Sequence, residues 1–194
     1  MKFILIFLLT IKLFSDTNFE LWQNLPKNIK SELFDYLDCK SLEYLEKEKC
    51  IHKFPNLEID SSAGLFITFF SKKNKKVRGC FGAFDHQDVN TKFLFNNYLL
   101  GALKEDFRYE SIQKEEWNDL ELILTITEKP RTLKNIEEID LKKFGIVLKN
   151  DINQNFILVP SEIKSLEQIK SIIKKNRITE IEYFKTIILR RERK

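Results

Sequence analysis

Glycine and proline are scarce in this chain, at 5 and 4 of 194 residues. That scarcity excludes collagen-like and low-complexity architectures. Histidine is limited to His52 and His86, and cysteine to Cys39, Cys50 and Cys80. No CxxC, HExxH or HxxxH spacing occurs, so a four-ligand zinc site would need nearly all of these residues to converge from scattered positions. Three cysteines cannot form a closed disulfide set. If one helix carries both, Cys39 and Cys50 lie roughly 16 Å apart along its axis at about 1.5 Å per residue, which would preclude a bridge between them. A dominant charge is also missing. The chain has 33 Lys and Arg against 29 Asp and Glu, a formal +4. That excess is too small and too evenly spread to imply nucleic-acid binding by itself.

What is present is a globular balance, 43% hydrophobic and 32% charged. The length suits one domain with its own core. The N-terminus carries an apolar run, Phe3 to Ile11, behind Lys2, with Ser15 and Thr17 near a plausible cleavage point. The run is too short to span a bilayer. Its charge-then-apolar order fits an export signal or membrane anchor over residues 1–17. The alternative is a hydrophobic helix or strand that docks on the domain. The first reading places the protein outside the cytoplasm or on a membrane through its N-terminus, the second in the cytoplasm. Arg190, Arg191, Arg193 and Lys194 make a basic tail, either a solvated terminus or a phosphate contact.

Periodicity predicts the elements between these ends. Leu33, Tyr36, Leu37, Leu42 and Leu45 recur at helical spacing over 27–49, with Ser31 or Ser41 as candidate caps. Gly64 to Phe70 and Val77 to Phe84 read as strands joined by the turn Lys72-Lys73-Asn74-Lys75-Lys76. Phe95, Tyr98, Leu99, Ala102 and Leu103 share one face of a helix over 92–105, capped by Asn90 or Thr91. Leu120, Leu122, Leu124 and Ile126 alternate as a buried strand that Pro130 ends. Gly145 to Leu148 and Phe156 to Val159 form a second hairpin. Ser161 is the candidate cap of a helix striped by Ile163, Leu166, Ile169, Ile172 and Ile173, and Ile181 to Leu189 is a last strand. Interspersed strands and helices with antiparallel hairpins predict an α+β fold rather than a doubly wound parallel sheet.

Val77-Arg78-Gly79-Cys80-Phe81-Gly82-Ala83-Phe84 is the least ordinary stretch. Glycine weakens a strand, so Gly79 and Gly82 signal close backbone approach or a bulge. Simple alternation sends Arg78, Cys80 and Gly82 to one face, with Phe81, Ala83 and Val77 on the other. The Cα atoms of Arg78 and Cys80 would lie about 6.6 Å apart, at ~3.3 Å per residue. A guanidinium that close favours thiolate over thiol. Gly82 would leave open surface beside the sulfur. If the chain turns back after Phe84, His86 could act as a base oriented by Asp85. The plainer alternative is a buried strand cysteine, an arginine paired with a carboxylate, and glycines required by packing.

Arg78-Gly79-Cys80-Phe81-Gly82 resembles the arginine-glycine-cysteine-isoleucine-glycine signature of the AMMECR domain. Gly64 to Thr68 resembles the strand before that signature. Ala102 to Tyr109 is similar to the family's alanine-rich helix followed by Asp-x-Arg-Phe. Trp117 to Leu122 is similar to its next strand, and Leu158-Val159-Pro160 to its Leu-Leu-Pro. The resemblance runs over residues 28–190, in order. Phe144-Gly145-Ile146 stands where the family tends to have His-Gly-Ile, so no histidine role transfers there.

The resemblance implies an α+β fold with packed helices on a mixed or mostly antiparallel sheet, a compact domain with a smaller subdomain. It implies no cofactor or metal. It suggests partnership with a Memo-like protein and a radical S-adenosylmethionine protein, in a modification pathway whose substrate could be nucleic acid, or an adaptor role. Three readings follow. In the first, Cys80 is catalytic, Arg78 holds the thiolate or an anionic substrate, and Asp106 and Arg108 line the cleft. In the second, the domain binds a protein partner without chemistry, and Arg78, Gly79 and Gly82 shape the groove, with His86, Asp106 and Arg108 as further binding residues. The third is nucleic-acid binding through Lys72 to Lys76 and the basic tail.

Overall fold

The computed structural model describes residues 17–58, 63–86, 90–152 and 154–191. The whole apolar N-terminal run, Phe3 to Ile11, and the tail residues Arg193 and Lys194 lie outside them. The helices are α1 (Thr17–Gln23), α2 (Lys27–Glu46), α3 (Thr91–Lys104) and α4 (Leu166–Asn176). The strands are β1 (Gly64–Ser71), β2 (Lys76–Ala83), β3 (Leu120–Thr127), β4 (Arg131–Thr132), β5 (Phe144–Asn150), β6 (Asn155–Leu158) and β7 (Ile178–Arg190). The fold is α+β with an antiparallel sheet in the order β2-β1-β3-β7-β5-β6, and β4 pairs with β7 off that path. The long β7 is the spine: its C-terminal half pairs with β3 and its N-terminal half with β5.

Alternation explains how the sheet is covered. Leu65, Ile67 and Phe69 of β1 and Leu122, Leu124 and Ile126 of β3 face the helices. There they meet Leu33, Phe34 and Leu37 of α2 and Phe95, Leu99 and Leu103 of α3. Each such fully buried side chain contributes about 1.5–3 kcal/mol of hydrophobic transfer. A smaller core lies under α4, where Ile169 meets Ile146, Leu148 and Leu158. The opposite residues of β1 and β2, Phe66 and Cys80, pack against Val147, Val159 and Phe184. Residues from strands so far apart in the sheet order can touch only if the sheet curls, so β2 and β6, its two edges, approach one another.

Caps and turns refine the sequence expectations. Asn90 caps α3 by accepting from Phe93 N at 3.2 Å. Ser165, not Ser161, caps α4, accepting from Gln168 N at 3.2 Å. Neither Ser31 nor Ser41 caps α2. That helix follows Pro26, and Ser41 Oγ donates to the Leu37 carbonyl at 2.8 Å within it. The end of α2 corrects a further expectation. Lys47 adopts a left-handed φ of 64°, so the helix stops before Cys50 instead of carrying it a further turn away. Cys50 N then donates to Glu43 Oε2 at 2.7 Å, and Cys50 is disulfide-bonded to Cys39 with Cα atoms 5.3 Å apart.

Candidate functional site

The β1–β2 hairpin does not keep simple alternation. Phe69 pairs with Gly79 but Phe70 pairs with Val77, so Arg78 is the extra residue of a β-bulge. A bulge shifts the side-chain phase by one. Val77 therefore packs on the same cluster as Cys80, and Arg78 does not share their face. Arg78 instead reaches the segment after α3. Its Nε donates to Glu116 Oε2 at 2.6 Å, its Nη2 to Glu116 Oε1 at 3.0 Å and its Nη1 to the Glu110 carbonyl at 2.6 Å. The expected pairing of Arg78 with the Cys80 thiolate is thus corrected: the guanidinium is already committed to a carboxylate.

The two glycines serve packing. A Cβ at Gly79 would stand 2.0 Å from the Ala102 carbonyl oxygen, so Gly79 allows α3 to lie directly on β2. A Cβ at Gly82 would stand 2.2 Å from the Leu65 carbonyl oxygen and 2.6 Å from Phe66 Cα. Gly82 thus lets β1 lie close against β2, and it also lines the cleft that reaches Cys80.

Cys80 lies 9% exposed, with Thr68 Oγ1 donating to its sulfur at 3.3 Å. Its pKa is pushed up to about 12, first by burial and then by the Glu162 carboxylate, and the Arg108 charge only partly opposes this. The backbone at Cys80 is the better-connected part. Its N–H donates to Asp106 Oδ2 at 2.8 Å. Arg108 grips the same carboxylate through Nη2 at 2.8 Å and Nε at 2.8 Å, and extends Nη1 to Glu162 Oε1 at 2.9 Å. Glu162 Oε2 accepts from Val159 N, just after β6, at 3.3 Å. A carboxylate–guanidinium–carboxylate relay therefore joins the β2 edge to the end of β6.

The two carboxyls of this relay differ. Burial alone would raise Asp106, but the bonds from Arg108 and the Cys80 N–H hold its pKa below the usual range. Glu162 accepts fewer bonds, and burial outweighs Arg108, so its pKa is raised. Arg108, bonded to Asp106 and facing Glu162, is held in its charged form.

Beside the relay is a cleft of about 260 Å³ between the sheet edges. Cys80, Gly82, Asp106 and Arg108 line it, together with Glu162 and the run from Asn155 to Val159. Arg78, Gly79 and His86 do not. His86 is buried rather than exposed, and its Nδ1 lies 3.0 Å from the Tyr98 hydroxyl of α3. Burial pushes its pKa down, against the Ala63 backbone and Asp85. The base role expected of it at Cys80 is corrected accordingly. Glu162 went unrecognised in the sequence. Its signal was a single acidic residue two positions beyond Leu158-Val159-Pro160, and nothing local tied it to Arg108. A larger groove of about 770 Å³ runs between α2 and β3; Arg191 of the basic tail lines it, and none of the residues proposed around Cys80 does. Among the described residues, no three thiol, imidazole or carboxylate side chains converge to hold a metal.

Comparison with known proteins agrees with this architecture. A protein of Thermotoga maritima is 25% identical over 96 residues, which span 50% of this chain and 55% of that protein. The chain thus matches little more than half of that relative's length. The crystal structure of an uncharacterized protein from Pyrococcus horikoshii superposes with a TM-score of 0.63 at 15% identity, covering 86% of this chain and 93% of that one. That likeness establishes a shared fold. The family model AMMECR1 matches residues 36–191, the hairpin, relay and cleft included, and the chain belongs to the AMMECR1 family.

Proposed function

We propose that this protein is a protein-binding component of a modification pathway, acting beside a Memo-like protein and a radical S-adenosylmethionine protein, and that the cleft between β2 and β6 is its recognition surface. Family kinship supports the pathway. The state of Cys80 supports binding over thiolate chemistry: its sulfur is buried and accepts from Thr68, and burial pushes its pKa up to about 12. At neutral pH such a thiol is a packed hydrophobe with a weak acceptor. The test is co-purification of the full chain with a Memo-like partner. Failure of the folded full chain to retain that partner argues against the reading.

A catalytic reading has one observation in its favour. Glu162 is a buried carboxyl with a raised pKa on the same cleft, which is a property of proton-transfer groups. Under that reading Glu162→Gln abolishes turnover while sparing partner binding. Nucleic-acid binding draws less support from the lysine turn, because part of it is already engaged. Lys72 Nζ donates to the Asn118 carbonyl at 2.7 Å. Steep salt dependence of binding would favour it.

A further inference from the structure

The hydrogen-bond polarity of the two sheet edges points to a class of ligand. Cys80 N–H turns away from β1 to meet Asp106. Antiparallel alternation then turns Gly82 N–H the same way. On β6, Asn150 N donates to Gln154 O, and the register pairs Leu148 with Phe156 and Ile146 with Leu158. Phe156 and Leu158 therefore bond to β5, and Ile157 presents its N–H and carbonyl outward. Val159 N–H, next in that phase, is taken by Glu162. Each edge is thus held at one point by a carboxylate and left without a backbone partner beside it, among the described residues. An open strand edge is a template for another strand.

The cleft has the size and charge for such a visitor. At about 260 Å³ it falls below the roughly 300–1,000 Å³ of pockets that enclose drug-sized ligands, and suits one anchoring side chain. Phe66, Phe81 and Phe156 line it, and Phe107, 96% exposed, stands at its lip. Glu105, Asp106 and Glu162 outnumber Arg108 among its charged residues.

We propose that the cleft takes an extended segment of a partner protein, added as a strand along β6 at Ile157. One apolar side chain of the segment fills the cavity, and a neighbouring lysine or arginine faces Glu105, the exposed carboxylate of the lining. The proposal rests on the binding reading above and specifies its ligand.

Fluorescence anisotropy on the full chain tests it with two labelled peptides, Lys-Val-Lys-Phe-Lys-Val and its charge-reversed counterpart Glu-Val-Glu-Phe-Glu-Val. The lysine peptide is expected to bind at least about tenfold more tightly. Ile157→Pro, which an edge strand with an outward N–H tolerates, weakens it by about tenfold. N-methylation of successive peptide residues on the unaltered protein gives losses that alternate with a period of two, independently of how the proline variant folds. Absence of binding by either peptide, equal binding of both, or losses without that period overturns the proposal. A Memo-like protein that still co-purifies with a folded Ile157→Pro variant overturns the strand-addition proposal and spares the binding reading. Failure of the unaltered protein to co-purify sinks the binding reading itself.

Discussion

A thiol whose pKa is pushed up to about 12 stays protonated across the physiological range, and burial rather than a missing partner is the main reason. Cys80 is therefore expected to resist iodoacetamide in the native protein at pH 8 and to react fully once unfolded, which a mass-resolved alkylation time course reads. The sign for stability follows. The folded thiol holds its proton above its ordinary value of 9.0, so the native state binds more protons than the unfolded state between that pH and about 12. Stability from this group is fully present below pH 9 and falls as pH rises through that window. Asp106 acts in the opposite sense. Asp106→Ala strips the Cys80 N–H and Arg108 of their acceptor at once. The expected loss in urea unfolding is about 2 kcal/mol, less than for a fully buried pair because Arg108 is more than a third exposed. Sequence reading named Cys80, Gly82, Asp106 and Arg108 together, and all four line one cleft. It misplaced Arg78 and His86, because a bulge and a helix-facing turn leave no mark in local alternation.

Elements carry the next layer of constraint. Gly79 sits where α3 and β2 touch backbone to backbone. Gly79→Ala must push the helix away, with an expected cost of about 2 kcal/mol and a Tm lower by about 5 °C in thermal denaturation. At the other end of the helical layer, the Cys39–Cys50 bridge ties the chain beyond α2 back onto the helix. Cross-linking a short loop narrows the unfolded ensemble. Cys50→Ser is therefore expected to cost about 2–3 kcal/mol, and dithiothreitol should lower the stability of the unaltered protein but not of the variant. The bridge was unreadable in the sequence because the helical pattern continues past Glu46. Only the left-handed turn at Lys47 reverses the chain. Helix and strand positions, by contrast, were legible wherever apolar spacing was regular, as in α3 and β3.

At the scale of the molecule, a curled sheet brings its edges together, and Asp106, Arg108 and Glu162 span the seam. The relay should give stability a characteristic pH profile. Asp106, with its pKa lowered, contributes stability that is present above its ordinary value of 3.8 and is lost as pH falls through the lower folded value. Glu162, raised, binds its proton more tightly when folded, so its contribution falls as pH rises past its ordinary value of 4.5. Glu162→Gln is expected to flatten the stability curve above pH 4.5, and Asp106→Asn to flatten the acid limb below 3.8. Urea unfolding across a pH series reads both slopes. An unchanged profile in both variants would show that the relay does not couple the two edges.

The sequence by itself determined the α+β class, most element positions and the family, because these depend on apolar periodicity and on a contiguous run of motif residues. The tertiary structure decided which groups share the cleft, whether the thiol ionises and where Arg78 spends its charge. Those outcomes depend on the curl of the sheet, one bulge and a glutamate that lies 54 residues from its arginine. Local patterns record the environment along the chain, whereas pKa and ion pairing are set by neighbours across it.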